Sequence, residues 1–259
     1  MKLGTVLSAV NSNPLYLDFI PYFIKAWQYL FPEINIVIVL VSETIPPELA
    51  VYKQHIHLFK PLHGLHTAYQ AQMIRLLYPR ELTTNQEGIL ITDIDMIPLN
   101  TKYYKENVKA LPNNIFISYR DVLYPEQLAM CYNIATQETW TKLIGPGSVE
   151  SLLHKFYNKA YTGQPGHEGW YSDQEILIKA YESYKGPKII LKDKYTEFNR
   201  LDREDKVFDN KLSLKQAIQA QTYSDYHCLR PYDKHKQIND FILDCIIPEN
   251  SCLGYLGST

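Results

Sequence analysis

Two carboxylates, Asp93 and Asp95, close an apolar run in the segment Gly88-Ile-Leu-Ile-Thr-Asp-Ile-Asp-Met-Ile-Pro-Leu99. A run of Ile and Leu bounded by Gly and Pro reads as a buried strand rather than a helix. Side chains alternate along a strand, so this reading puts Asp93 and Asp95 on the same side. Two carboxylates placed there repel each other and lose hydration, a cost that a cation relieves. The simplest such cation is a hard divalent metal with oxygen ligands. A metal at the carboxyl end of a sheet strand favours, in turn, an anionic partner such as a diphosphate.

The elements that would position this pair follow from hydrophobic periodicity. Leu3 to Val10 reads as a first strand, and Asn11-Ser-Asn-Pro14 as a loop with helix-start chemistry. Tyr16, Ile20, Phe23, Ile24, Trp27, Leu30 and Phe31 then keep helical spacing; Pro21 either kinks that helix or lies in its first turn. Ile34 to Val41 is a second buried strand, and His55 to Phe59 a short third one. A helix over His66 to Leu82 leads into the Asp93 strand. Beyond it come a helix over Tyr103 to Leu111 and a strand over Ile115 to Tyr119. Alternating strands and helices predict a mainly parallel sheet covered on both faces, which binds ligands at the carboxyl ends of its strands. The second half is less regular. It offers a strand within Met130 to Ala135, helices around Thr139 to Leu143, over Val149 to Tyr161 and over Ser172 to Tyr184, and a strand over Lys188 to Leu191. Thr162 to Gly169 reads as a loop. No repeat, low-complexity tract or linker divides the chain, so a single α/β domain is expected.

Composition narrows the function classes. The chain has 259 residues, 46% of them hydrophobic, enough for a substantial core. A net charge of −2 with no basic run argues against nucleic acid as the main partner. Cys131, Cys228, Cys245 and Cys252 are scattered, match no zinc spacing and read as free thiols of a reducing compartment. The apolar part of the first ten residues is too short for a signal peptide, and no segment is long enough to cross a membrane. The expectation is a soluble, cytoplasmic protein with no transmembrane segment. Its 21 tyrosines would suit sugar contacts, though composition alone assigns none.

Five further segments matter beside the Asp93 strand. They are Ala9-Val-Asn-Ser-Asn-Pro-Leu-Tyr16, Gln72-Met-Ile-Arg-Leu-Leu-Tyr-Pro79, Cys131-Tyr-Asn-Ile-Ala135 with Trp140, Trp170-Tyr-Ser-Asp-Gln-Glu-Ile-Leu177 and Ser224-Asp-Tyr-His-Cys-Leu-Arg-Pro-Tyr-Asp-Lys234. In order, as scattered motifs over most of the chain, these resemble the metal-dependent nucleotide-sugar glycosyltransferases of the GT-A fold. Among these the resemblance is to glycosyltransferase family 8 and small viral or microbial relatives. The resemblance implies a nucleotide-binding half over residues 1–98 and a donor-sugar and acceptor half over 99–259. Asp93 and Asp95 take the place of the family's Asp-x-Asp motif, and His227 that of a third ligand to manganese or magnesium. Asn11 would belong to the nucleotide-binding loop, Arg75 would anchor the donor or order the acidic site, and Asn133 would line the donor sugar. Asp173 and Gln174 would face the reacting sugar. Arg230 or Lys234 would hold the diphosphate; Arg230 stands before Pro231 where the family usually has Lys. Asn133 is followed by Ile134 and Ala135, with no Gly, which departs from the family's small-residue pattern. Each residue also has a plainer reading: Asn and Ser as turn formers, Asp173 as a helix cap, Asn133 as a buried amide bonded to backbone.

The implied reaction moves a hexosyl or pentosyl group from a nucleoside-diphosphate sugar, on this resemblance UDP-linked, to an acceptor hydroxyl on a glycan, with retention of configuration. A haloacid-dehalogenase-like phosphatase also carries Asp-x-Asp after an apolar strand, but near the amino terminus and followed by Thr or Val, whereas Met96 follows here. A nucleotidyltransferase would need a Gly-rich, basic opening loop, which is absent. A non-catalytic nucleotide-sugar-binding module would show the same motifs.

Overall fold

The computed structural model describes residues 1–124, 127–196, 199–205, 208 and 210–247. Its first strand, β1 (Leu3–Asn11), pairs in parallel with β2 (Asn35–Val41) on one side and β4 (Gly88–Ile91) on the other. β3 (Ile56–Phe59) adds to β2 and forms one edge. Beyond β4, the short strand β9 (Asn133–Ala135) runs antiparallel to both β4 and β6 (Phe116–Ser118). A separate antiparallel pair, β7 (Leu123–Tyr124) and β8 (Gln127–Leu128), precedes β9, and β10 (Lys188–Ile190), followed by the short helix α8 (Asp193–Thr196), forms the other edge, giving the order β10-β6-β9-β4-β1-β2-β3.

Strands buried on both faces need apolar residues at every position, which the runs in β2 and β4 supply. Their alternation divides the core. Val6, Ile36, Ile38, Leu40 and Leu90 face one side, packing with Phe23, Ile24 and Trp27 of α2 (Ile20–Leu30), α4 (Lys102–Lys109) and the later helices α9 (Lys211–Gln219) and α10 (Lys236–Ile246). Leu7, Val37, Val39, Ile89 and Ile91 face the other, against α3 (Thr67–Leu77), α5 (Gln137–Ile144), α6 (Val149–Phe156) and α7 (Ser172–Ser183). The alternation expected from sequence is therefore present.

Several boundaries differ for identifiable reasons. The Asp93 strand is shorter than expected. Thr92 makes the last bond to β1, its N–H reaching the Leu7 carbonyl at 3.1 Å, and Met96 N–H then closes a turn onto the Asp93 carbonyl at 3.3 Å. Asp93 and Asp95 thus lie in a turn, and the chain re-enters strand only at β5 (Met96–Pro98). That strand belongs to a second sheet, where β12 (Tyr223–His227) lies antiparallel to β5 and parallel to β11 (Asn199–Leu201). The helix expected to reach Leu82 ends at Leu77, where Pro79 converts the chain to a tight turn over Tyr78–Glu81. Pro21 lies in the first turn of α2, which a separate short helix, α1 (Pro14–Leu17), precedes. The helix expected over Val149 to Tyr161 stops at Phe156, and only Asn133 to Ala135 of the expected Met130 strand is paired. Cys131, Cys228 and Cys245 are free, and Cys252 lies outside the described residues. No helix among the described residues is long and apolar enough to cross a membrane.

Candidate active site

The carboxyl ends of β1 and β4 open into a cavity of about 260 Å³, the position at which parallel sheets present ligand sites. The end of β1 contributes Asn11, whose Nδ2 donates to Thr67 Oγ1 at 3.0 Å and so ties the strand to the start of α3. The following turn is made by asparagines: Asn11 Oδ1 accepts from Asn13 N–H at 3.3 Å, and Asn13 caps α1. From α3 come Ala68, Ala71, Gln72 and Arg75, whose spacing of three and four sets them on one helix face. The turn after β4 presents Asp93 and Asp95, the start of α7 presents Asp173 and Gln174, and the end of β12 and the segment leaving it present His227 and Arg230. Gly163, Pro165 and Trp170 complete the wall. Gly163 has φ +77, and a Cβ there would stand 2.5 Å from the His66 ring, so the loop's close approach requires glycine.

Arg75 is the hinge of the electrostatics. One arm donates to Asp173 Oδ2 at 2.5 Å and the other pairs with Asp93 Oδ1. The Asp173 side chain is 1% exposed; its other oxygen accepts the Gln174 N–H at 2.9 Å in the first turn of α7, where the helix dipole favours an anion. Asp95 is also buried. Its Oδ2 meets Arg203 Nη2 at 3.1 Å, Arg230 Nε at 3.3 Å and His227 Nε2 at 3.7 Å. Burial alone pushes the Asp95 carboxyl up, but the charges of His227, Arg230 and Arg203 outweigh it and hold the group below the usual carboxylate range. Arg230 is held in turn by Tyr16: it donates to the hydroxyl and lies 5.1 Å from the ring centre. Burial pushes the Tyr16 hydroxyl above its usual value, so it stays protonated.

Asn11, Arg75, Asp93, Asp95, Asp173, Gln174, His227 and Arg230 therefore converge on one cavity. Asn133 and Lys234 are not part of its wall. Asn133 is fully buried on β9, and its Nδ2 donates to the Ala129 and Met130 carbonyls, both at 2.8 Å. Lys234 sits in a tight helical turn over Asp233–His235. Three participants are given no role by the sequence reading. Tyr16 reads as an ordinary helix position. Asp202 and Arg203 lie in the charged stretch Asn199-Arg-Leu-Asp-Arg-Glu-Asp205, which resembles solvated surface. They reach the site only because β11 pairs with β12.

The donor set suits a divalent cation. Asp95 and His227 face each other, and the second ring nitrogen of His227 lies 3.2 Å from Asp202 Oδ1. A carboxylate there fixes the ring and leaves Nε2 available as a ligand, the usual second partner of a metal-binding histidine. That hydrogen bond to His227 also holds the Asp202 carboxyl well below its usual range. Two carboxylate oxygens and an imidazole match manganese or magnesium chemistry. Among the described residues, no three His, Cys, Asp or Glu side chains are already gathered around one point; Asp93 is drawn to Arg75 instead. Trp170 stacks on Tyr161 with ring centres 6.3 Å apart and planes 17° from parallel, and the Tyr161 hydroxyl donates to Gln72 Oε1 at 2.7 Å.

No protein-family model matches the sequence, and no curated protein does. Solved structures do. The apo form of the glycosyltransferase GlyE from Streptococcus pneumoniae TIGR4 matches with a TM-score of 0.50 at 14% identity, over 94% of this chain and 63% of that one. A glycosyltransferase involved in glycosylation of the major capsid of PBCV-1 matches with a TM-score of 0.50 at 9% identity, over 92% and 99%. The galactosyltransferase LgtC, solved with donor and acceptor sugar analogues, matches with a TM-score of 0.50 at 12% identity, over 95% and 98%. This chain thus spans less than two thirds of the GlyE chain and nearly all of the other two. These neighbours are of the GT-A type, and the mixed α/β fold of this chain, with its mostly parallel sheet, is theirs.

Proposed function

We propose that this chain is a glycosyltransferase that moves a sugar from a nucleoside-diphosphate sugar, UDP-linked, to an acceptor hydroxyl on a glycan. One observation carries the reading: on a GT-A fold, a single cavity gathers Asp93, Asp95, Asp173, His227, Arg75 and Arg230 at the strand ends. Three buried or half-buried carboxylates, able to hold a cation, with an imidazole and guanidinium groups in one concavity suit a diphosphate far better than a neutral metabolite.

Asp93, Asp95 and His227 are the residues that would hold manganese or magnesium, which when bound supplies positive charge to the departing diphosphate. The chain's own groups do the rest. Arg230, steadied on Tyr16, binds and neutralises phosphate oxygen; losing one such preorganised donor costs about a hundredfold to a thousandfold in rate. Asn11 and the turn after it hold the nucleoside. Arg75 fixes Asp173 through its hydrogen bond, and Asp173 orients the acceptor hydroxyl beside the cation-like anomeric centre. Gln174 lies against the same sugar. Trp170, backed by Tyr161, offers an apolar face for the acceptor ring. The transfer is taken as retaining, on the resemblance to family 8. The reading gives Asn133 and Lys234 no contact with the donor, and nothing in the structure favours the phosphatase alternative.

The test is a panel of UDP- and GDP-sugars, each with and without manganese, followed by thermal stability and by release of free nucleoside diphosphate. Manganese-dependent stabilisation with slow donor hydrolysis supports the transferase. Cleavage of simple phosphate esters by magnesium-loaded protein would refute it, and binding of donor without any turnover would reduce the chain to a binding module.

A further inference from the structure

We propose that Arg203 is a second diphosphate-binding residue, parked on Asp95 until a divalent cation takes its place. This rests on the donor site proposed above and extends it to a residue that no motif marks.

One carboxylate oxygen is crowded by cations. Asp95 Oδ2 carries Arg203 at 3.1 Å, Arg230 at 3.3 Å and His227 at 3.7 Å. Two guanidinium groups cannot be neutralised by one carboxylate, and Asp93 is already engaged by Arg75. The nearby Asp202 is committed to His227 Nδ1 and to the backbone N–H of Arg203. Among the described residues Asp95 is thus the one carboxylate that pairs with both guanidinium groups, so whatever occupies Asp95 leaves a guanidinium in a poorly hydrated place that favours another anion close by. Arg203 is also incompletely partnered: its side chain is 18% exposed, and its Nε is buried with no hydrogen-bond partner.

A cation that binds Asp95 must displace at least one guanidinium. Arg230 is held independently by the Tyr16 ring and hydroxyl. Among the described residues, the Arg203 side chain has no ion-pair or hydrogen-bond partner other than Asp95. Arg203 is therefore the group that leaves. It does not leave the neighbourhood, because Leu201 is buried and paired with Tyr226 of β12, and Asp202 is bonded to His227. A free guanidinium beside an incoming diphosphate takes its oxygens in the fork geometry that arginine favours. Cation and nucleotide thus have opposite relations to this side chain: it competes with the first and assists the second.

The experiment uses the full chain and Arg203→Met. Manganese affinity without nucleotide is read from the electron paramagnetic resonance of the free ion, and UDP affinity of the manganese-saturated protein from calorimetry. With its competitor gone, manganese should bind several-fold tighter, while UDP should bind about tenfold more weakly, the loss of one charge-assisted contact. Arg203→Lys, which keeps the charge and serves if the methionine variant does not fold, should fall between the two for UDP. Parallel weakening of both ligands in R203M, as for damaged structure, overturns the inference, and so do two unchanged affinities. Failure of the wild-type chain to bind either manganese or UDP would instead overturn the donor-site reading and this inference with it.

Discussion

Arg75 is the best place to test whether the buried acid Asp173 is a working charge, because its loss should be read first as instability. Arg75→Met keeps the length and apolar stem of the side chain and removes the guanidinium. Asp173 is then left 1% exposed with one backbone N–H as its remaining bond. Removing one partner of a buried ion pair costs about 3–5 kcal/mol. The first turn of α7 offsets about 1 kcal/mol of this through its dipole. The arm to Asp93, whose side chain is 29% exposed, contributes at most about 1 kcal/mol. The net expectation is a loss of about 3 kcal/mol, or a melting point about 6–12 °C lower for a chain of this size. Pairing the change with Asp173→Asn removes the stranded charge and should recover more than half of the loss, a coupling that a double-mutant cycle reads directly. Thermal and urea denaturation of wild type, both single variants and the double variant supply the four corners. If R75M melts within 2 °C of wild type, in rough terms no larger than an exposed pair would give, or if the double variant is no more stable than R75M, the account of Asp173 as a clamped anion is wrong.

Other expectations follow from the same geometry. Asp95→Asn should abolish manganese-dependent UDP binding by calorimetry while the circular dichroism spectrum stays that of the folded chain; full donor turnover in that variant would remove Asp95 from the metal site. Trp170→Ala should raise the acceptor KM about tenfold, the value of one lost aromatic platform, and leave the donor Kd unchanged, whereas equal losses for both would place Trp170 in the general scaffold. For the metal-free chain, the native carboxyls of Asp95 and Asp202 are both depressed. The unfolded chain then binds more protons in acid, so their stabilisation is complete above a pH of about 4 and is lost as pH falls through the native values. Asp202→Asn should flatten that acid limb in urea titrations run between neutral pH and strong acid, and an unchanged slope would contradict the assignment. His57 acts in a milder window: burial lowers its pKa, so stability should decline as pH drops below about 6.5, and His57→Gln should remove that decline.

Much of the architecture was legible because burial on both faces leaves a mark in composition. The runs of β2 and β4, and the three-four spacing in α2 and α3, need no tertiary information to be read. Boundaries were less legible. Apolar periodicity continues the Asp93 strand through the acidic pair, yet β4 has only four residues, because its pairing with β1 ends at Leu7 and Ile91 and Met96 N–H then turns the chain onto the Asp93 carbonyl. Asn133 shows the same limit. Its amide is taken up by the carbonyls of Ala129 and Met130, which depends on how the chain folds back before β9. No motif records that turn.

Sequence by itself determined that two carboxylates end an apolar run at Asp93 and Asp95, that strands and helices alternate, and that a histidine and an arginine follow late at His227 and Arg230. Local spacing and solubility govern those features. Tertiary structure decided which charges meet. It set Arg75 between Asp93 and Asp173, residues 98 apart for the second pair, and it brought Arg203 to Asp95 across a separation of 108. The pairing of β11 with β12 brings two partly buried charges, Asp202 and Arg203, from a stretch that looks like solvated surface to His227 and Asp95. Electrostatic partnership depends on distance and dielectric, and neither is written in the order of residues along a chain.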